Sequence, residues 1–329
     1  MKTLVTGATG FIGTYLVDAL TKTGREVTCC IRKTSDTSKL EPLGVKLVYG
    51  DLLDKDSLKK NLKGMDCIFH LGGEVYCSNP DAYYNTNIKS TRNILEASLE
   101  NKVGKIIFFS SIAAMGPKYN RNQRLKEEDN CHPVSPYGIS KYMCEQLLCK
   151  FVQEFKLPVV IVRPPVVYGP GVNSSSRVLE LIRNIKKGIV LIPGDGNNRI
   201  SLCYVENLIK GTLLAEKRAD ISAKKYILTD SRSYTYNEII SAVTKELKIK
   251  VKKVFIPQAV LKAGINIAKY ARKIFLLPAS IGLSRLEEGI YSWDCDITRA
   301  REELNYNPDV ALNEGLRKTI KWCLTNNLC

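Results

Sequence analysis

Apolar and polar positions along the first half of the chain repeat one unit: a short apolar run, a turn, then a stretch with helical spacing. Thr3 to Thr6 reads as a strand and about Phe11 to Thr23 as a helix, with Gly24 closing it as a C-cap. Val27 to Ile31 and Val45 to Tyr49 are the next strands. A short helix over Ser57 to Leu62 leads to a strand over Cys67 to Leu71. A long helical stretch runs from about Asp81 to Asn101, followed by a strand from Lys105 to Ser110. A helix from about Pro136 to Phe155 precedes a strand from Val159 to Arg163. Continuous apolar runs are what strands buried on both faces require. Their alternation with helices predicts an α/β fold built on a doubly wound parallel sheet, with ligands bound beyond the carboxyl ends of the strands.

After Pro164 the pattern becomes irregular, and Pro164, Pro165, Gly169, Pro170 and Gly171 mark a loop. We expect a dinucleotide-binding domain over residues 1–168 and a smaller α/β substrate-binding lobe over 169–329. Segments within about 199–230, including a strand at Tyr226 to Thr229, return to the main sheet. In Lys248 to Lys252 lysines alternate with apolar residues, as in an edge strand with its lysines outward. From Val260 to Leu277 an apolar stretch carries Lys262, Lys269, Arg272 and Lys273. It suits a helix packed on the lobe with its cations outward; a lid or a peripheral membrane contact is the other use of such a helix.

Composition narrows the classes. The chain has 329 residues, 44% of them apolar, enough for a large core. No apolar stretch reaches the roughly 20 residues that span a bilayer. Met1 and Lys2 lead into a glycine-containing run that reads as strand, turn and helix rather than as a signal peptide, so a cytoplasmic protein is expected. Eleven scattered cysteines without CxxC spacing imply reduced thiols. With only His70 and His132 available, no metal site is expected. The net charge of +16 favours an anionic partner: a phosphorylated cofactor, an acidic substrate or a membrane face. No interleaved aromatic and basic motif suggests nucleic acid.

The chemistry begins at TGATGFIG, Thr6 to Gly13, directly after the first strand. Gly7, Gly10 and Gly13 permit a tight turn, close approach of backbone to a pyrophosphate, and close packing of helix on strand. The helix N-terminus adds N–H groups and a positive dipole end. In this context the glycines mark a Rossmann dinucleotide site, with Thr9, Phe11 and Ile12 beside them. At the end of the second strand, where an acidic residue would hold a ribose 2′-hydroxyl, the chain has Arg32 and Lys33. An arginine there suits a 2′-phosphate, so NADP(H) is favoured and NAD(H) remains open; exposed loop cations are the plain alternative. Tyr137 and Lys141 form YxxxK, one helical turn apart. A neighbouring ammonium favours the phenolate, which fits Tyr137 as a proton acceptor for a reacting hydroxyl. Ser110 and Ser111 end the fifth strand, where a hydroxyl could hold the substrate oxygen.

Together with GDLLD at 50–54, HLGG at 70–73, NTNIKSTRNILEA at 85–97, SSIAAMG at 110–116, YGISK at 137–141 and RPPVVYGPG at 163–171, these motifs make the chain resemble an extended short-chain dehydrogenase/reductase. The resemblance continues through PGDGNNRISLCYVENL at 193–208 and ELNYNPDVALNEGL at 303–316. It implies that Asp51 and Leu52 contact the adenine, and that Leu71, Gly72 and Gly73 line the path to the nicotinamide ribose. Asn87 would help order the site. Ser111 would bind the reacting oxygen, Tyr137 would be the acid/base, and Lys141 would hold the ribose and tune the tyrosine. Pro164, Val166 and Val167 would flank the nicotinamide. A homodimer formed through two helices of the dinucleotide domain is also implied.

Two branches of that family are open. The pattern VTCCIR, the stretch 31–64, and Pro165 with Val166 after the sixth strand resemble dihydroflavonol-reductase-like and 3β-hydroxysteroid-dehydrogenase-like members. That reading makes the protein an oxidoreductase interconverting a secondary alcohol and a ketone on an apolar or mid-sized molecule. Arg199, after GDGNN, sits where sugar-nucleotide epimerases and dehydratases place an arginine on the diphosphate, unless it forms a loop salt bridge. A non-catalytic dinucleotide-binding protein is the third possibility, opposed by the presence of Ser111, Tyr137 and Lys141.

Overall fold

The computed structural model describes every residue except 76, 78, 79, 219–222 and 275–280. Within those residues the first half runs β1 (Lys2–Thr6), α1 (Phe11–Thr21), β2 (Glu26–Ile31), β3 (Lys46–Tyr49), α2 (Lys55–Asn61), β4 (Cys67–His70), α3 (Pro80–Tyr83), α4 (Ser90–Glu100), β5 (Lys105–Phe109), α5 (Pro136–Phe155) and β6 (Val159–Arg163). The second half contributes β7 (Val166–Tyr168), α6 (Arg177–Lys186), β8 (Ile189–Pro193), β9 (Arg199–Ile200), β10 (Leu202–Tyr204), α7 (Val205–Glu216) and β11 (Lys224–Ile227). After these come β12 (Tyr234–Thr235), α8 (Tyr236–Leu247), β13 (Lys252–Ile256), α9 (Gln258–Ile274), α10 (Ile281–Gly289), α11 (Thr298–Leu304) and α12 (Leu312–Thr325).

The main sheet is parallel, in the order β11-β6-β5-β4-β1-β2-β3. Alternate residues of each strand enter different cores, because successive side chains point to opposite faces. Leu4, Ile68, Ile106 and Ile161 pack with Leu58, Ile94 and Leu148 of α2, α4 and α5. Their neighbours Val5, Phe69, Ile107 and Val160 pack with Leu16, Leu20 and Leu208 of α1 and α7. A third core, around Tyr168, Ile182, Ile192, Ile240 and Ile320, holds the smaller lobe together. Of the described strands within 199–230, β11 (Lys224–Ile227) joins the main sheet beside β6, two residues ahead of the expected Tyr226 to Thr229, whereas β9 and β10 pair with β12 and β7. Asp230, just beyond β11, is fully buried and accepts hydrogen bonds from the Tyr204 N–H, the Asn207 amide and the Tyr168 hydroxyl.

Two sequence expectations need correction. The stretch from Pro80 to Glu100 is not one regular helix: Tyr84–Lys89 is a π-helical segment between α3 and α4. Nor does Lys248 to Lys252 form a strand. Lys248 takes a left-handed conformation (φ 56°) that ends α8, and the Ile249 N–H reaches back to the Thr244 carbonyl. This cap uses the backbone groups that a strand would need. The strand starts at Lys252 and pairs with β8 instead. The apolar stretch from Val260 is helical to Ile274, and its last expected residues, 275–277, lie outside the described ones.

Backbone packs closely where α1 leaves β1. A Cβ on Gly13 would stand 2.1 Å from the Gly7 carbonyl oxygen, well inside contact distance. Gly13→Ala must therefore push α1 off the sheet. We expect it to cost about 1–3 kcal/mol and to lower the Tm measured by thermal unfolding. An unchanged Tm would mean that α1 is not held against this loop.

Candidate active site

In an open parallel sheet the crevice opens where the strand order reverses. Here that point is β1, flanked by β2 on one side and β4 on the other. A cleft of about 1100 Å³ runs over the carboxyl ends of these strands. Its floor is the glycine loop: Gly7, Thr9, Gly10, Phe11, Ile12 and Gly13 all line it. Gly7 has φ +70°, and a Cβ there would lie 2.8 Å from the Gly72 nitrogen, so any side chain would collide with the neighbouring strand's extension. Thr6 fastens that extension: its hydroxyl accepts from the Gly72 N–H at 3.1 Å and bonds His70 Nδ1 at 2.7 Å. Gly10 caps α1 without a side-chain hydrogen bond, and the first turn of α1 carries no carboxylate. Uncapped N–H groups beside an open glycine floor fit a dinucleotide pyrophosphate.

Most of the expected cofactor residues line the same cleft: Arg32, Asp51, Leu52, Leu71, Gly72, Gly73, Pro164, Val166 and Val167. Arg32 is exposed just past β2, and its guanidinium has no carboxylate partner among the described residues. Lys33, Asn87 and Arg199 are not on the cleft wall. Asn87 is buried behind it, in the π-helical segment. Its Oδ1 accepts from the Glu74 N–H at 2.6 Å, while its Nδ2 donates to the Glu74 carbonyl at 3.0 Å and to Ser140 Oγ at 3.0 Å. Asn87 thus joins the β4 extension to α5. Arg199 is bound into a loop: Nε lies 3.1 Å from the Asp294 carboxylate, and the guanidinium donates to Ser233.

The catalytic candidates meet because of a helix start. Ser135 caps α5 through the Gly138 N–H, and Pro136 occupies the first turn. A Cβ on Gly138 would sit 2.3 Å from the Ala113 carbonyl, so glycine lets α5 lie against the turn that follows Ser111. Ser111, Tyr137 and Lys141 all line the cleft. The two serines after β5 diverge: Ser110 Oγ donates inward to Glu145 at 2.6 Å, while Ser111 Oγ accepts from the Ala113 N–H at 3.1 Å at the cleft wall. The Tyr137 ring stands 6.1 Å from that of Tyr83. Lys141 Nζ donates to the Phe109 carbonyl at 2.8 Å and lies 4.9 Å from the Phe108 ring centre. Burial holds its pKa below the usual lysine range.

Sequence reasoning missed the groups behind this face. Glu145 follows Lys141 by one turn and Tyr137 by two, on the same side of α5. It is fully buried and meets the fully buried Arg163 through two bonds, at 2.9 and 2.6 Å. Arg163 also donates to the Glu127 carbonyl at 3.1 Å. The available signal was a single charge at the end of an apolar strand and another within an apolar helix stripe. Also missed were Arg177, Arg285, Tyr236 and Trp293 of the second half, which line the same cleft. Arg177 pairs with Glu288, and Arg285 with Glu180 at 3.0 Å.

Two predictions follow from the buried polar groups. Glu145→Ala strands Arg163 without its carboxylate and should cost about 3–5 kcal/mol in urea unfolding. The double replacement Glu145→Leu with Arg163→Met removes both charges and should cost less; equal or greater loss would show that the pair is not coupled. His70 is buried, and desolvation, with a smaller push from Lys141, lowers its pKa from 6.5 to about 3. Between those values the unfolded chain takes up a proton that the native state refuses. Stability is therefore full above pH 6.5 and falls as the pH drops toward 3, with a slope of up to about 1.4 kcal/mol per pH unit. His70→Asn should flatten the stability curve between pH 6 and 4; an unchanged slope would remove His70 as its source.

Known proteins share both the sequence and the architecture. The pattern of the NAD dependent epimerase/dehydratase family matches residues 3–228. UDP-glucose 4-epimerase of Vibrio cholerae is 27% identical over 98% of this chain and 96% of its own. The 2-alkyl-3-oxoalkanoate reductase of Stenotrophomonas maltophilia is 24% identical over 97% and 98%. The crystal structure of UDP-glucuronic acid 4-epimerase from Bacillus cereus, in complex with UDP-glucuronic acid and NAD, superposes with a TM-score of 0.80 at 26% identity, over 99% of this chain and 100% of that one. With a glycine-floored cleft at the strand reversal and a match across more than half its length, the chain belongs to the NAD dependent epimerase/dehydratase family, within the extended short-chain dehydrogenase/reductase group.

Proposed function

We propose that the protein oxidises and reduces a secondary carbinol carbon, with Tyr137 as the proton-transfer group, and that its substrate is a nucleotide sugar. Bound in the cleft, a nicotinamide dinucleotide would accept or supply the hydride. Tyr137 takes the hydroxyl proton as the carbon is oxidised and returns it on reduction. Lys141, a helical turn away, favours the phenolate. Ser111 holds the reacting oxygen at the cleft wall. Pro164, Val166 and Val167 exclude water beside the transfer path.

UDP-sugar 4-epimerases recur among the relatives and solved structures, and this favours the nucleotide-sugar reading over ketone reduction. The observation within the chain that carries it is the pair Arg177 and Arg285 on the wall of the cleft that Tyr137 also lines. Two guanidiniums there suit a diphosphate, given that each can exchange its glutamate for phosphate oxygens. They would serve the role that the sequence left open for Arg199, whose other reading, a loop salt bridge, is met by Asp294. The second reading, reduction of an apolar ketone, is favoured by the apolar residues sharing that wall: Val172, Val178, Leu181, Ile239 and Trp293.

The B. cereus relative was solved with NAD, which supports NAD(H) as the cofactor class. The finer preference for NADP(H) rests on Arg32, which follows β2 and lines the cleft.

The test is to incubate the protein with UDP-glucose or UDP-glucuronic acid plus dinucleotide and follow the C4 epimer by NMR, with NADPH-dependent reduction of long-chain 3-oxo compounds in parallel. Epimer formation, reduced about 10²–10⁴-fold in Tyr137→Phe, is the expected result. Ketone reduction without epimerisation would move the protein to the second reading. In a binding titration, Arg32→Ala should weaken NADPH by about 10–100-fold and leave NADH unchanged. Equal effects on both would end the 2′-phosphate argument.

A further inference from the structure

Helix α9 carries two apolar stripes, and the described part of the fold covers one. Ile265 is buried, and Gln258, Leu261 and Ala268 are half-buried, at the spacing of one helix face. Val260, Ala263, Ile267 and Tyr270 form a second row, turned away from the first at 100° per residue. All four are exposed, with Val260, Ile267 and Tyr270 at 59%, 70% and 69%. A continuous apolar row in water marks a surface that meets something.

The charge beside it says what. Between Lys245 and Lys262 the sequence has six lysines and one carboxylate, Glu246, and all six lysines are exposed. Before the next carboxylate, Glu287, the sequence adds Lys269, Arg272, Lys273 and Arg285. β13, which exposes Lys252 and Lys253, runs into α9 through Pro257. Its neighbour β8 turns Ile189 and Leu191 outward as well. Two copies of such a face would repel each other, whereas an anionic surface attracts it. No helix among the described residues is long and apolar enough to cross a membrane.

We propose that α9 and the lysine-rich segment before it seat the protein on an anionic lipid surface. The row Val260, Ala263, Ile267 and Tyr270 enters the boundary between headgroups and acyl chains, and the lysines meet the headgroup phosphates. This rests on the helix and its charges, independently of the catalytic reading.

The experiment is flotation of the full chain with vesicles of phosphatidylcholine alone and of phosphatidylcholine mixed with phosphatidylglycerol, at low and high salt. Binding to the phosphatidylglycerol vesicles, lost at high salt, is expected. Val260→Asp with Ile267→Asp, and separately Lys252→Glu with Lys253→Glu, should each weaken it at least about tenfold. Both variants change exposed side chains and should keep the wild-type circular dichroism spectrum and dinucleotide affinity. The proposal fails if the protein ignores phosphatidylglycerol vesicles, or if neither variant changes the binding. It fails equally if light scattering shows a dimer that Ile267→Asp dissociates, since a second copy would then cover α9.

Discussion

A carboxylate and a guanidinium, both removed from water, stand at the centre of this architecture. Arg163 is the last residue of β6 and Glu145 lies two turns along α5 from Tyr137. Neither can be buried alone, because an unpaired interior charge costs several kcal/mol. Their two bonds therefore fix where α5 sits along the sheet. The same carboxylate receives the Ser110 hydroxyl, so the end of β5 is fixed as well, and Ser111 is left at the cleft. Arg163 reaches the Glu127 carbonyl, and the Glu127 side chain in turn accepts from the Ile227 N–H of β11. One ion pair thus sets the relation between helix α5, two neighbouring strands, the 116–135 loop and the returning edge strand.

The cleft depends on a second constraint, the nearness of backbones at the sheet's reversal point. A side chain on Gly7 would collide with the backbone of Gly72, one on Gly72 would press on Leu52 and Thr6, and the Thr6 hydroxyl bonds the Gly72 N–H. Further along the same β4 extension, Asn87 holds Glu74 by both of its backbone groups. The geometry of the cofactor groove is therefore set by hydrogen bonds between loops, with the strands as rigid supports.

Much of this was legible in the chain. The parallel strands were readable because strands buried on both faces are written as unbroken apolar runs, and α5 because Ser135 and Pro136 announce a helix start. The glycine loop and YxxxK were readable because their spacing carries a mechanism. Other features depend on partners distant in sequence. The π-helical turn at Asn87 has normal helical periodicity and is paired with Glu74 and Ser140 only in space. Lys248 to Lys252 alternates as a strand would, yet α8 needed a left-handed residue to end on. Arg199 was read from a local motif, while its partner Asp294 lies ninety-five residues later. The cations that line the cleft from the second half, Arg177 and Arg285, sit in segments with no distinguishing local pattern.

The buried cysteines have a use of their own. All eleven cysteines of the chain are free, and the buried ones are spread through the interior: Cys29, Cys67, Cys203 and Cys295 in the core under α1 and α7, Cys30 and Cys144 in the core under α4 and α5, Cys323 in that of the smaller lobe. Burial pushes the thiols of Cys29, Cys67, Cys295 and Cys323 up to about 12. At neutral pH they present almost no thiolate, the form that attacks alkylating reagents. Each becomes reactive only when the packing around it opens. The chain therefore contains a built-in set of clocks, one for each core, and the order in which its thiols are labelled records the order in which the layers of the molecule come apart.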